Sequence, residues 1–339
     1  MGRDKINFGI ILRMAFSLIP LLFGMPFLAT VLCAYNIVMS FVVFGPLNAI
    51  VSGLTATLFS MLFCGLYGEA EKLQGLFIAL EIILCSAACI YSSVFTKRFY
   101  QGVALTALGY LVPSFISLKG IATKTGLSVV DYLVTAPMEM LKLQLQSIPE
   151  EAQMQMGITN EHINSIIELS GAISSMIVPA VLIIVSLFTG YVIMWCVAAQ
   201  LRKHPSGFWH SFSEIKLPRK LFVLLIVSVA ATILLFKTEY LFIPVNLIVV
   251  ILTVCSFAGL SFVEFFLRKG IKKPLLRVIV HMLIFLGWSS VTATLPFLNI
   301  VVVYSFIAIL DSFFNFRKLS LDSKMRGDSD EAETETGNV

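Results

Sequence analysis

The sequence predicts an all-α, polytopic membrane bundle that crosses a bilayer about ten times, a six-helix N-terminal unit followed by a four-helix C-terminal unit. Three observations carry that expectation. Of the 339 residues, 58% are hydrophobic and 13% charged, where soluble domains carry about 25% charged residues. Apolar runs of spanning length recur from Phe8 to Phe316. Lys and Arg gather in the short breaks between them. With a mean hydropathy of +0.92, the chain cannot cover itself with polar surface in water, so lipid must be its solvent.

The first run follows Arg3, Asp4 and Lys5, as in a signal peptide. No small-residue cleavage site with a polar segment follows, so a retained span is expected over 8–24. Spans at 26–44 and 47–66 follow closely, divided by Gly24-Met25-Pro26 and Gly45-Pro46, where proline removes a donor and disfavours helix in the preceding residue. Further spans are expected at 75–95, 101–118 and 172–200, then at 221–236, 241–265, 276–294 and 297–314.

Charge sets the parity. With the N-terminus inside, eighteen of the 24 Lys and Arg fall in inner segments and five in outer ones, with Arg13 inside the first span. That bias predicts both termini cytoplasmic and an even number of spans. The basic residues are dispersed between spans and gather on no single face, which excludes nucleic-acid binding.

The long break, 119–171, then lies outside. Pro137 is expected to open an amphipathic helix with Met138, Leu141, Leu145 and Ile148 on one face. Asn160 is expected to cap a second helix through Ile163, Ile166 and Ile167. The pair lies at the interface or forms a lid. The tail 318–339 is polar, acidic and expected to be disordered.

Four parts result: 1–200, the six-span unit with its 119–171 insert; 201–220, a cytoplasmic joint; 221–317, the four-span unit; and the tail. The joint carries Arg202, Lys203, Lys216, Arg219 and Lys220 against Glu214, with Phe208, Trp209 and Phe212 among them. That composition suits the inner leaflet, so Trp209, Phe212, Lys216, Arg219 and Lys220 are candidate lipid or partner contacts.

No G-x-S-x-G, H-E-x-x-H or G-x-x-x-x-G-K-[ST] motif occurs, and the four histidines are scattered. No enzymatic activity, cofactor or metal is expected. Cys85 and Cys89 share a helix face without His or acid at ligand spacing, so packing is their expected role, as for the other four cysteines. Ionisable groups at membrane depth are costly and therefore informative. Arg13 is near enough to the inner end to snorkel, for topology or headgroup contact. Glu81, two turns inside span four, needs a partner, a proton or water, and with Tyr110 and Asn48 is a candidate ligand contact. Asn48, Asn246 and Asn299 neighbour proline or glycine and are expected first to satisfy freed backbone groups. Asp311 and Asn315 share a face and are expected to pair with the interfacial Arg317 region. Ala49 with Gly53, Ala87 and Ala88, and Ala104, Ala107 and Gly109 supply small faces for close helix packing.

The sixth span ending in WCVAAQLRKHP, the turn FWHSFSEIKLP and the early FGPLNAIVSGL resemble the YybS-like family of predicted bacterial membrane proteins, a domain of unknown function. That family's first six spans are similar to the substrate-binding components of energy-coupling-factor vitamin transporters. The resemblance implies a bacterial plasma-membrane protein whose N-terminal unit takes a small solute. Those components dock through A-x-x-x-A on their first helix, where this chain has Ala15 and Ile19. A scaffold working with envelope or signalling partners is the second expectation.

Overall fold

The computed structural model describes residues 8–68, 72–146, 160–201, 212–294 and 299–317. Among them no strand occurs, and the chain forms two compact units, Met1–His210 and Ser211–Val339. Six helices are long and apolar enough to cross a membrane, and four shorter apolar helices accompany them.

In the first unit, α1 (Phe8–Leu18) is shorter than the span expected at 8–24. It gives way to a 3-10 segment, Ile19–Phe23, with Pro20 in its first turn, and the chain reverses at Gly24 in the left-handed region (φ 69°). Helices α2 (Pro26–Phe44) and α3 (Pro46–Gly65) each begin on proline, whose missing N–H costs nothing at a first turn. Gly45, at φ 91°, makes the turn between them. Helix α4 (Lys72–Ile90) continues as a π-helical turn, Tyr91–Thr96, and ends at Lys97. Helix α5 runs Phe99–Thr125, past the expected end at 118.

The break at 119–171 departs most from expectation. Helix α6 (Val129–Gln146) starts eight residues before Pro137, which lies inside it. Its start is set by Ser128, whose Oγ accepts the Asp131 N–H at 3.0 Å and donates to Asp131 Oδ2 at 2.6 Å, a reciprocal cap. Of the expected apolar face, Leu145 and Ile148 lie outside the residues whose side chains are described. The expected second insert helix and span six are one helix, α7 (Asn160–Leu201), with Pro179 inside it. At 42 residues it is about 63 Å long, twice the roughly 30 Å hydrocarbon thickness. Helix α6 packs on it, with Met138 against Gly171.

Helices α2 and α4 lie at the centre of this unit. Cys85 and Cys89 meet Val31, Ala34 and Val38 of α2, Phe99 of α5, and Ile193, Met194 and Val197 of α7. On the other side, Ile10, Met14 and Leu18 of α1 pack with Cys33 and Ile37 of α2 and Ala56 of α3. Five of the six cysteines are buried and Cys196 is half-buried; none forms a disulfide. Helix α3 is inverted relative to a soluble helix: Asn48, Ser52, Thr55 and Ser60 are buried, while Ile50, Leu54, Leu58 and Leu62 form an exposed ridge at i+4 spacing. Such a ridge needs an apolar environment, which a lipid bilayer supplies. Of the small residues, Gly109 abuts the Leu84–Cys85 backbone and Ala107 abuts Gly190. Gly53 faces open space, and Ala87 and Ala104 are exposed, which corrects the expectation that all of them pack.

The second unit contains a 3-10 turn (Phe212–Glu214), α8 (Lys220–Leu234), α9 (Phe242–Gly270), α10 (Pro274–Thr294) and α11 (Ile300–Phe314). Helix α9 is its centre, packed on α8 and α11. Gly259 lets α11 approach so closely that a Cβ there would collide with the Tyr304 carbonyl.

Candidate functional site

Among the described residues of the first unit the buried carboxyl is that of Glu81, 6% exposed in the third turn of α4. Ser114 of α5 donates to its Oε1 at 2.6 Å. Tyr110, one turn earlier on α5, lies within electrostatic reach of the same carboxyl and of Ser114. The fully buried Thr30 hydroxyl of α2 also lies by the carboxyl, but forms no hydrogen bond of ordinary geometry. None of the ion pairs among the described residues includes Glu81. Three helices thus bring one carboxyl and three hydroxyls together, and no cation is paired with them.

Asn48 lies in the first turn of α3. Its Nδ2 donates to Phe44 O at 3.1 Å across the Gly45–Pro46 break. Asn246 donates likewise to Phe242 O, and Asn299 Oδ1 accepts from Val301 N to cap α11. All three asparagines serve backbone at helix breaks. Two clefts accompany this unit's helices, and Glu81 lines neither. One lies between α6 and α7; the other is lined by α1, α2 and the end of α7.

In the second unit the described part of the expected joint, 212–220, is a strap fastened to its own helices, and 202–211 lie outside the described residues. Ser213, Ile215 and Leu217 are buried. Arg317 and Asp311, both side chains 1% exposed, form an ion pair at 2.8 Å. Nε donates to Asp311 Oδ2, Nη2 donates to Ile215 O, and Nη1 donates to Ser213 O and Ser261 Oγ. Ser312 Oγ adds a hydrogen bond to Leu217 O at 3.1 Å. The carbonyls of 213, 215 and 217 are therefore all held by side chains of this unit's helices and of Arg317.

The candidate contact residues fall into three groups. Lys216 donates to Asn315 Oδ1 at 2.6 Å, and Arg219 donates to Ser312 O and Phe313 O while lying over the Phe313 ring. Phe212 begins the 3-10 turn and is half-buried, and Lys220 is exposed at the start of α8. Trp209 lies outside the described residues, as does the tail expected to be disordered. Lys216 and Arg219 are thus engaged within the chain because the end of α11 offers carbonyl and amide oxygens beside them.

Sequence reading missed a second polar centre. Glu264 of α9 accepts from Arg268 Nε at 2.9 Å and Arg277 Nε at 2.9 Å, and lies 3.1 Å from His281 Nε2. Arg277 Nη1 also donates to Ile271 O and Lys272 O, so the α9–α10 turn is closed by one side chain. The i,i+4 spacing of Glu264 and Arg268 was the available signal.

The helices, the inverted burial of α3 and the lipid-facing ridge together define a multi-span helical membrane protein. Within that class the chain belongs to the family described as predicted membrane protein (DUF2232), whose model matches residues 8–312. No curated protein and no solved structure matches it.

Proposed function

We propose that the first unit binds a small solute within the bilayer, with the Glu81 carboxyl as the recognition point and Ser114 and Tyr110 as orienting hydroxyls. The observation that carries this reading is a carboxyl 6% exposed at membrane depth whose partner is a hydroxyl rather than a cation. A charge there wants a positive counterpart, and a solute bearing an amine or another strong donor supplies one. The resemblance to vitamin-transporter binding components points the same way.

The proposal extends to placement. The four shorter apolar helices complete ten crossings, accommodated by tilt and local thinning. The membrane is the bacterial plasma membrane, with both termini cytoplasmic by the basic asymmetry. A scaffold role is the alternative, favoured by the full burial of Ile82 and Cys85, which flank Glu81 along α4.

The test is thermal unfolding of the purified protein in detergent against a panel of amine-bearing and neutral solutes. A ligand at one hundred times its Kd stabilises by about 2.7 kcal/mol. The expected result is a melting-temperature rise with an amine-bearing solute that Glu81→Gln abolishes and Tyr110→Phe reduces. If no solute shifts wild type differently from Glu81→Gln, the scaffold reading replaces this one.

A further inference from the structure

The cleft lined by α1, α2 and the last turn of α7 is independent of Glu81. Its volume is about 190 Å³, below the roughly 300 Å³ at which drug-sized ligand pockets begin, so it suits a headgroup better than a whole solute. Of its ten lining residues one is a cation and none is an acid. That cation is Arg13, whose guanidinium forms no hydrogen bond or ion pair with another side chain among the described residues. Tyr35 and Gln200 bring a hydroxyl and an amide to the same cleft. Asn36, also in the wall, has both amide protons committed to Ser17 Oγ and Leu32 O, and this fixes the α1–α2 side.

Position identifies the occupant. The cleft gathers the start of α1, the end of α2 (Val43 and Phe44) and the end of α7 (Gln200), so it opens at an end of the bundle. Arg13 is five residues from the start of α1, about 7.5 Å along the axis, a depth from which arginine snorkels to the headgroup level. Leu12 and Phe16, exposed beside it on α1, offer an acyl chain an apolar track leading away from the guanidinium.

We propose that this cleft binds a phosphate anion, with Arg13 as its bidentate partner and Tyr35 and Gln200 as further donors. The lipid-facing track identifies the phosphate as that of a phospholipid headgroup. A planar guanidinium matches two phosphate oxygens, which a lysine ammonium meets only as a point charge.

The test uses the full chain, delipidated in detergent. Melting temperature and bound lipid by native mass spectrometry are read after adding phosphatidylglycerol, diacylglycerol or soluble glycerol phosphate. The expected result is a rise of several degrees with phosphatidylglycerol and none with diacylglycerol. Arg13→Gln should lose the rise and at least tenfold in lipid retention, and Arg13→Lys should keep part of both. Tyr35→Phe supplies a second, conservative variant, with a smaller loss, should Arg13→Gln fail to fold. A full-sized rise with glycerol phosphate that Arg13→Gln removes also supports the phosphate site, and identifies a free ester as its source. Equal lipid retention by Arg13→Gln and wild type, or an equal rise with diacylglycerol, overturns the proposal.

Discussion

Arg317 illustrates how much one side chain organises in the second unit. Its guanidinium joins Asp311, Ser261 and two strap carbonyls, out of reach of water. Removing one member of a buried ion pair typically costs 3–5 kcal/mol, because the other charge is left uncompensated. Asp311→Asn should fall in that range, since the arginine keeps its carbonyl partners. Arg317→Met should cost more, because it strands Asp311 and also leaves the carbonyls of Ser213 and Ile215 unpaired, at about 1–3 kcal/mol each. Unfolding of the two variants in detergent checks the order; an equal or greater loss for Asp311→Asn would mean the strap carbonyls contribute nothing. The pairing of Asp311 with Arg317 was legible in sequence because the residues stand six apart at a helix end. The strap's attachment was not, because Ser213 and Ile215 are about a hundred residues away and their backbone carbonyls have no sequence signature. Ser114 was missed as the partner of Glu81 for the same reason: a lone serine on a neighbouring helix resembles any other.

Among elements, the close approaches at glycine separate packing from mere smallness. Gly259 admits the Tyr304 carbonyl of α11 where a side chain would collide, whereas Gly53 of α3 meets nothing within 4 Å. Gly259→Val should therefore destabilise the second unit by about 1–3 kcal/mol or more through overpacking. Gly53→Ala should be neutral or stabilising by up to about 1 kcal/mol through helix propensity. Parallel unfolding curves of the two variants test this, and a Gly259→Val protein as stable as wild type would contradict the α9–α11 approach. Helix existence was legible throughout, since runs of Leu, Ile, Val and Phe of spanning length leave few alternatives. Helix ends were legible at Gly24, Gly45 and Pro46, where backbone chemistry forces a turn. They were not legible between 119 and 171. There Ser128 and Asp131 outcompete Pro137 as the start of α6, and no breaker stronger than Gly171 separates the amphipathic start of α7 from its apolar remainder.

For the whole molecule, the decisive physical choice is the solvent, and the remaining question is which end of each helix faces the cytosol. Helix α5 offers the best test of it. It spans 27 residues, about 40 Å, and no break divides Arg98 at its start from Gly126 at its end. Crossing the bilayer is the arrangement that solvates both ends and its exposed Leu108, Val112 and Phe115. The orientation proposed above from the excess of Lys and Arg in the inner segments puts Arg98 on the cytosolic side. A cysteine at Arg98 should then react with a membrane-impermeant maleimide only after permeabilisation, and one at Thr125 should react in intact cells. The native thiols give little background, since five are buried and Cys196 lies half-buried within α7. Labelling of both positions from one side would show that α5 does not cross. Reactivity of Arg98→Cys in intact cells, with Thr125→Cys protected, would invert the orientation. The cleft at Arg13 would then face the outer leaflet, because the α1 start and the α7 end that line it lie, by alternation of the crossings, on the same side as Arg98.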